Sequence, residues 1–146
     1  MTTPETPPLK PEPGKLLVAV VTPEGNAFEG HAESVVVPAF DGEVAFLADH
    51  APFVGAIGVG QLRVKPLEGD LQRWYLEGGV VQVLAGEVTI LAEQVTPAGD
   101  VKETDADADL EKALQTTPTS DEAFAERDRA LESARVRKRI AHPPSA

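Results

Sequence analysis

Turn-forming residues recur about every 8 to 12 positions through the middle of the chain, and this spacing constrains the fold most strongly. The stretches between the turns are short and apolar, and several, such as Val35–Val37, consist of β-branched residues. Such residues favour strands, and no amphipathic helix fits between the turns. The spacing therefore predicts an antiparallel β-sandwich or barrel, which we assign to residues 15–97.

Two of the turns predict hairpins. Asp41-Gly42 is a strong hairpin sequence, and it follows Pro38, which is expected to end the preceding strand. A second tight turn at residues 85–87 separates Val80–Leu84 from Val88–Ala92. These two runs are mostly apolar, with Gln82 and Thr89 as their polar residues, which predicts strands that are buried on at least one face.

The two ends of the chain differ from this middle part. Residues 1–14 contain five prolines, which predicts a flexible or semi-stiff extended leader. The N-terminus has no apolar core of a secretory signal, and no run approaches the roughly 18 apolar residues of a membrane helix. The protein is therefore expected to be soluble, or peripheral to a membrane through a partner.

Residues 98–146 predict a helical tail. An acidic, weakly structured stretch is expected to lead into a short helix at Leu110–Gln115. A second helix is predicted from Ser120 to Ala141, because Thr119 and Glu122 stand at the spacing of a capping box. Acidic residues at its start and basic residues at its end complement the helix dipole.

The apolar stripe of the second helix consists mostly of alanine, and only Phe124 and Leu131 are large. Burying two such side chains gains roughly 3–6 kcal/mol. Ordering the helix costs about 1 kcal/mol or more per residue, offset only partly by helix formation. The tail is therefore expected to dock weakly on its own domain. Its basic end is either a solvated helix terminus or a docking patch for an acidic protein surface.

Composition and motifs argue against several kinds of site. The net charge of -11 disfavours a nucleic-acid surface, and the absence of cysteine excludes disulfides and thiolate metal sites. Gly25 and Gly30 have the glycine spacing of a P-loop, but His31 and Ala32 stand where that motif needs Lys and Ser or Thr. Ser34 lacks the surroundings of a catalytic serine.

The remaining polar residues give no catalytic arrangement either. Asp41 and Glu43 flank a turn glycine, where acidic residues are usually solvated rather than catalytic. The histidines are scattered without metal-ligand spacing, at His31, His50 and His142. We therefore expect a protein without enzymatic activity, cofactor or metal.

Seven stretches, taken in their order along roughly 80 residues, resemble the epsilon subunit of bacterial F-type ATP synthases (the delta subunit in mitochondria). Each stretch alone is weakly specific, but their order, followed by a two-helix tail, is specific. They are Val20–Gly25, Phe28–Ala32, Val37–Glu43, Asp49–Pro52, Gly60–Leu62, Glu77–Val80 and Val88–Ala92.

The resemblance implies a ten-stranded, flattened β-sandwich followed by a C-terminal two-helix hairpin. It also implies a non-catalytic subunit of the rotor, or central stalk, at the cytoplasmic face of the bacterial membrane. This subunit would couple proton flow to ATP synthesis. Its partners would be the gamma subunit and the ring of membrane subunits. The second helix would contact the beta and alpha subunits and inhibit ATP hydrolysis.

The resemblance also implies the residues that bind these partners. The hairpin tip matches the family loop that meets the membrane ring, and His50 matches a segment near gamma and the ring. The basic end of the second helix matches the part that contacts acidic beta-subunit surfaces. The expected partner-binding residues are therefore Asp41, Gly42, Glu43, His50, Arg135, Arg137, Lys138 and Arg139.

One departure from the family concerns nucleotide binding. Some members bind ATP through an (Ile/Leu)-Asp-x-x-Arg-Ala motif at the first helix, whereas residues 104–109 of this chain lack the arginine and contain three acids. We therefore predict that the isolated subunit does not bind ATP. The alternative to a stalk subunit is a free-standing β-sandwich that binds carbohydrate or peptide. Such a module needs an aromatic platform, and the adjacent Trp74 and Tyr75 are expected to face opposite sides of a strand.

Overall fold

The computed structural model describes residues 9–141, and within that range the chain forms seven β-strands, two α-helices and a short 3-10 helix at Ala98–Asp100. Short turns join most of the strands, as the turn spacing predicts. The strands are β1 (Leu16–Thr22), β2 (Gly25–Ala39), β3 (Gly42–Leu47), β4 (Phe53–Ala56), β5 (Val59–Pro66), β6 (Gln72–Leu84) and β7 (Glu87–Pro97). The helices are α1 (Glu103–Gln115) and α2 (Asp121–Ala141).

The strands form a sheet that closes on itself. Their order is β1-β7-β6-β5-β2-β3, and β1 also pairs with β2, while β4 pairs with β6. β1 and β7 run parallel, and the other pairs are antiparallel. The inward side chains form one apolar core with contributions from every strand, including Val18, Phe46 and Ile90. The predicted β-sandwich with a helical tail is confirmed.

The number of strands is seven rather than ten, because three strands are long and change partners along their length. β2 pairs with β1 up to Ala32 and with β3 and β5 beyond it. β6 pairs with β5 before Gly78-Gly79 and with β4 after it, and these glycines have φ of +73° and +125°. β7 pairs with β1 only as far as Leu91. Counting each half separately gives ten segments, so continuous backbone accounts for the difference.

The sequence predicts that Pro38 ends its strand, and this is wrong, because β2 continues to Ala39. Pairing of β2 with β5 stops at Val36, so no ladder bond on that side needs an N–H from Pro38. The carbonyl of Pro38 instead accepts a hydrogen bond of 2.9 Å from the N–H of Gly58. Pairing with β5 therefore ends before Pro38, whereas pairing with β3 continues to Ala39.

The first helix is longer than predicted, since α1 begins at Glu103 rather than at Leu110. Glu103 and Asp105 lie in its first turn, where the helix dipole favours negative charge. Ala106 and Ala113 are buried, so the acidic half of the helix also packs. The expectation of a weakly structured acidic stretch is therefore wrong.

The second helix begins one residue later than predicted and has a different cap. The N–H of Ala123 donates to the side-chain oxygen of Ser120 at 3.1 Å, so Ser120 rather than Thr119 is the cap. The large buried side chains of α2 are Leu131, Val136 and Ile140. Phe124 was predicted to lie on the buried face but is 51% exposed, because only the second half of α2 crosses the sheet.

Candidate partner-binding surfaces

The hairpin tip between β2 and β3 is exposed, as the Asp41-Gly42 sequence predicts. Gly42 has a φ of +136°, a value that residues with a Cβ rarely adopt. Glu43 is held from the side by Arg63, whose Nη2 lies 2.7 Å from its carboxylate. The neighbouring Phe40 is 83% exposed, so the tip presents an aromatic ring beside two carboxylates.

His50 lies in the turn after β3 and is exposed. Its ring packs edge-on against Phe46, with 4.9 Å between ring centroids, and its Nδ1 lies 2.6 Å from the carbonyl oxygen of Ala51. The hairpin tip is at the opposite end of β3, which spans six residues and roughly 17 Å. The structure therefore separates these two predicted binding elements along a strand.

The basic end of α2 divides into two paired and two unpaired cations. Arg137 Nη2 lies 2.8 Å from Asp109, and Lys138 Nζ lies 2.9 Å from Asp107. The hydrogen bond to Asp107 raises the pKa of the Lys138 ammonium above its usual value. Arg135 and Arg139 are exposed and have no carboxylate within 4.0 Å in the described part of the chain. The acidic residues of α1 thus neutralise half of the predicted docking patch in this conformation.

A buried hydrogen-bond network joins α2 to the β-sandwich. The hydroxyl of Tyr75 donates to a carboxylate oxygen of Glu77 at 2.7 Å and lies 2.6 Å from the hydroxyl of Ser133. Arg137 Nε donates to the same serine oxygen at 3.2 Å. Burial raises the pKa of the Tyr75 phenol well above its usual value. Sequence reasoning missed this network because it joins residues 58 positions apart.

Trp74 and Tyr75 point to opposite sides of β6, as the sequence predicts. Trp74 lies in the core and contacts Phe28 edge-on, with a centroid separation of 5.6 Å. Tyr75 is covered by α2 together with Val136 and Ile140. Neither ring offers a platform for stacking, which argues against the carbohydrate-binding alternative.

A second surface, which sequence reasoning did not identify, is the outer patch, defined here as Val54, Val80, Leu84 and Leu91. These side chains are 71%, 44%, 52% and 52% exposed. Val80 lies directly opposite Leu91, and all four residues lie on the outward face of β4, β6 and β7. Exposed apolar side chains that cluster in this way commonly mark interaction sites. The run Val80–Leu84, in which only Gln82 is polar, was the available sequence signal.

The hairpin and the outer patch adjoin. The backbone N–H of Phe40 donates to the carbonyl oxygen of Ala56 at 3.0 Å, and Ala39 forms a β-bridge with Ile57. Ala56 belongs to β4, which also carries Val54 of the patch. Hairpin and patch therefore adjoin through β4, and the hairpin residues Phe40, Gly42 and Glu43 also line a cleft against α2.

The glycines with P-loop spacing do not form a loop. Gly25–Gly30 is part of β2 and pairs with β1, with one shift of register between Val20 and Val21. His31 Nε2 lies 2.8 Å from the carbonyl oxygen of Lys10, so it contacts the leader. In the part of the chain that is described, no three ligating side chains cluster around a metal position, and no helix has the length and apolar character to cross a membrane. His142 and residues 1–8 lie outside the described residues.

Comparison with known proteins agrees with this architecture. Residues 15–98 match the family model of the ATP synthase delta/epsilon chain β-sandwich domain. The ATP synthase epsilon chain 1 of Methylococcus capsulatus is 35% identical over 124 residues, which cover 85% of this chain and 84% of the relative.

Two solved structures share the fold at low sequence identity. A chain of the Euglena gracilis mitochondrial ATP synthase, from a structure of its OSCP, F1 and c-ring, is 18% identical and has a TM-score of 0.80. That match covers 97% of this chain and 91% of the other. A chain of the Tetrahymena thermophila mitochondrial ATP synthase central stalk and c-ring is 13% identical and has a TM-score of 0.72. It covers 89% and 98% of the two chains, respectively.

Proposed function

The chain belongs to the delta/epsilon family of ATP synthase subunits as an epsilon chain, and from this membership we propose that it is a non-catalytic subunit of the central stalk. In this role it couples proton flow through the membrane ring to ATP synthesis in the catalytic head. It binds the membrane only through the complex, on the cytoplasmic face.

The outer patch is the observation that carries this proposal. Its four residues leave apolar side chains between 44% and 71% exposed on one sheet face. Monomeric proteins rarely expose apolar side chains that cluster in this way, whereas a subunit of an assembly buries them against a partner. We assign the outer patch to the gamma subunit and the adjoining tip, Asp41–Glu43, to the membrane ring.

His50 and the tail have separate roles in this proposal. Because His50 lies at the far end of β3 from the tip, its contact is with gamma rather than with the ring surface that meets the tip. Arg135 and Arg139 are exposed while the tail is docked. Arg137 and Lys138 must leave their acidic partners on α1 before they reach a beta or alpha subunit. Inhibition of ATP hydrolysis therefore requires α2 to separate from α1.

Co-purification with gamma tests the proposal. Leu91→Asp places a charge in the outer patch and is expected to reduce recovery of the subunit with gamma by at least about tenfold, since burying an unpaired carboxylate is costly. Leu71→Asp is the matched control, because Leu71 is 51% exposed but lies in the turn before β6. Equal recovery of gamma with both variants would overturn the assignment of the patch.

A deletion tests the inhibitory role separately. Removing the chain from Pro118 onward takes away α2 and is expected to raise ATP hydrolysis by the assembled enzyme. ATP synthesis driven by a proton gradient should persist, because the outer patch and the hairpin remain. Unchanged hydrolysis would exclude inhibition by the tail and leave the coupling role in place.

A further inference from the structure

A cleft of about 390 Å³ lies between the β-sandwich and the second half of α2, and the hairpin residues Phe40, Gly42 and Glu43 form part of its wall. Arginines from three elements line it: Arg63 of β5, Arg73 of β6 and Arg139 of α2. Two carboxylates, Glu43 and Glu132, also line the cleft. The lining therefore carries one net positive charge in a chain whose net charge is -11.

The acidic residues of the protein do not neutralise all of the positive charge of these three arginines. Arg63 and Arg73 stand directly opposite each other across β5 and β6, where like charges are unfavourable. Glu43 compensates Arg63 at 2.7 Å. Among the described residues, Arg73 and Arg139 have no carboxylate within 4.0 Å. Two guanidinium groups that line one cleft therefore make no ion pair with a carboxylate.

We propose that this cleft binds a small inorganic oxyanion of the phosphate class, namely phosphate or pyrophosphate. The planar guanidinium group donates two parallel hydrogen bonds to such an anion. The cleft has the volume of a small-ligand site, and Val59, Val136 and Ile140 give it an apolar part.

Calorimetric titration of the full-length subunit with pyrophosphate in chloride buffer tests the proposal. Arg73→Gln and Arg139→Gln are each expected to weaken pyrophosphate binding by about tenfold or more, because each removes a charged donor. Arg129→Gln is the control, since Arg129 is exposed on α2 outside the cleft and its loss should leave binding unchanged. Circular dichroism verifies that each variant is folded.

Further arms of the titration identify the ligand class. Glu132→Gln removes a repelling carboxylate and is expected to tighten binding of pyrophosphate, and added salt is expected to weaken it. Malonate, a dicarboxylate with a charge close to that of phosphate, should bind more weakly than phosphate. The proposal is overturned if pyrophosphate and phosphate fail to bind up to about 10 mM, if malonate binds better, or if the Arg73 and Arg139 variants bind as the wild type does. These titrations use the free subunit, so their outcome is independent of co-purification with gamma.

Discussion

Replacing Tyr75 by phenylalanine tests whether the buried hydrogen-bond network holds α2 on the β-sandwich. The ring of Tyr75 is fully buried under α2, and phenylalanine keeps its packing. Only the hydroxyl is lost, which donates to Glu77 at 2.7 Å and lies 2.6 Å from the hydroxyl of Ser133. The substitution therefore changes the polar link between sheet and tail and little else.

The size of the effect follows from the charge and exposure of the partners. A hydrogen bond to a charged group contributes about 1.5–3 kcal/mol. Glu77 is only partly buried, so water replaces part of the lost bond and the lower end of this range applies. Ser133 also keeps the hydrogen bond from Arg137 at 3.2 Å. We expect α2 to open more easily by about 1.5 kcal/mol, which corresponds to about a tenfold change in the opening equilibrium.

Amide hydrogen exchange of peptides from α2, measured by mass spectrometry, detects this change directly. Exchange in α2 should be about tenfold faster in Tyr75→Phe, while exchange in β1 should stay unchanged. Phe124→Ala is the control on the same helix, because Phe124 is half exposed and away from the sheet. The reasoning is refuted if α2 exchanges at the wild-type rate, or if β1 accelerates as much as α2 does.

The remaining predictions concern the same tail and the bend in the sheet. Because burial raises the pKa of Tyr75, its contribution to stability is present below the usual phenol pKa of about 10 and is lost as pH rises beyond it. Phenolate absorbance of this single tyrosine should therefore appear above its ordinary range, and titration near pH 10 would contradict the burial. Arg137→Ala should accelerate exchange in α2 more than Lys138→Ala, since the arginine is partly buried and also bonds to a serine; equal rates would contradict this. Gly79→Ala should lower the free energy of unfolding by more than about 2 kcal/mol in a denaturant titration, because a Cβ would collide with the carbonyl oxygen of Leu91.

Local patterns predicted the parts of the fold that depend on neighbouring residues. Asp41-Gly42 predicted its hairpin because the turn type depends on a glycine with positive φ. Alternation along β6 predicted that Trp74 and Tyr75 face opposite sides. The length of α1 was not predictable in this way, since its acidic half is held by Asp107 and Asp109 pairing with cations of α2.

The candidate sites show the same limit. Two sequence signals were present: a run in β6 in which only Gln82 is polar, and a basic run in α2. Neither run reveals which of its residues are free, because that depends on register and docking. Arg63 and Arg73 lie opposite each other because of the register between β5 and β6. Leu91 is exposed to solvent because α2 covers a different face of the sandwich.

The division of the basic run has a consequence for how the tail meets partners. A partner that needs only Arg135 and Arg139 binds the docked tail without cost, since both are exposed there. A partner that needs Arg137 and Lys138 must first break their pairs with α1, which contribute little because Lys138 and both aspartates are about half exposed to water. It must also expose Leu131, Val136 and Ile140, at roughly 1.5–3 kcal/mol for each side chain. The apolar contacts therefore exceed the ion pairs as the barrier to release, and the acidic residues of α1 determine which cations remain available rather than whether α2 stays docked.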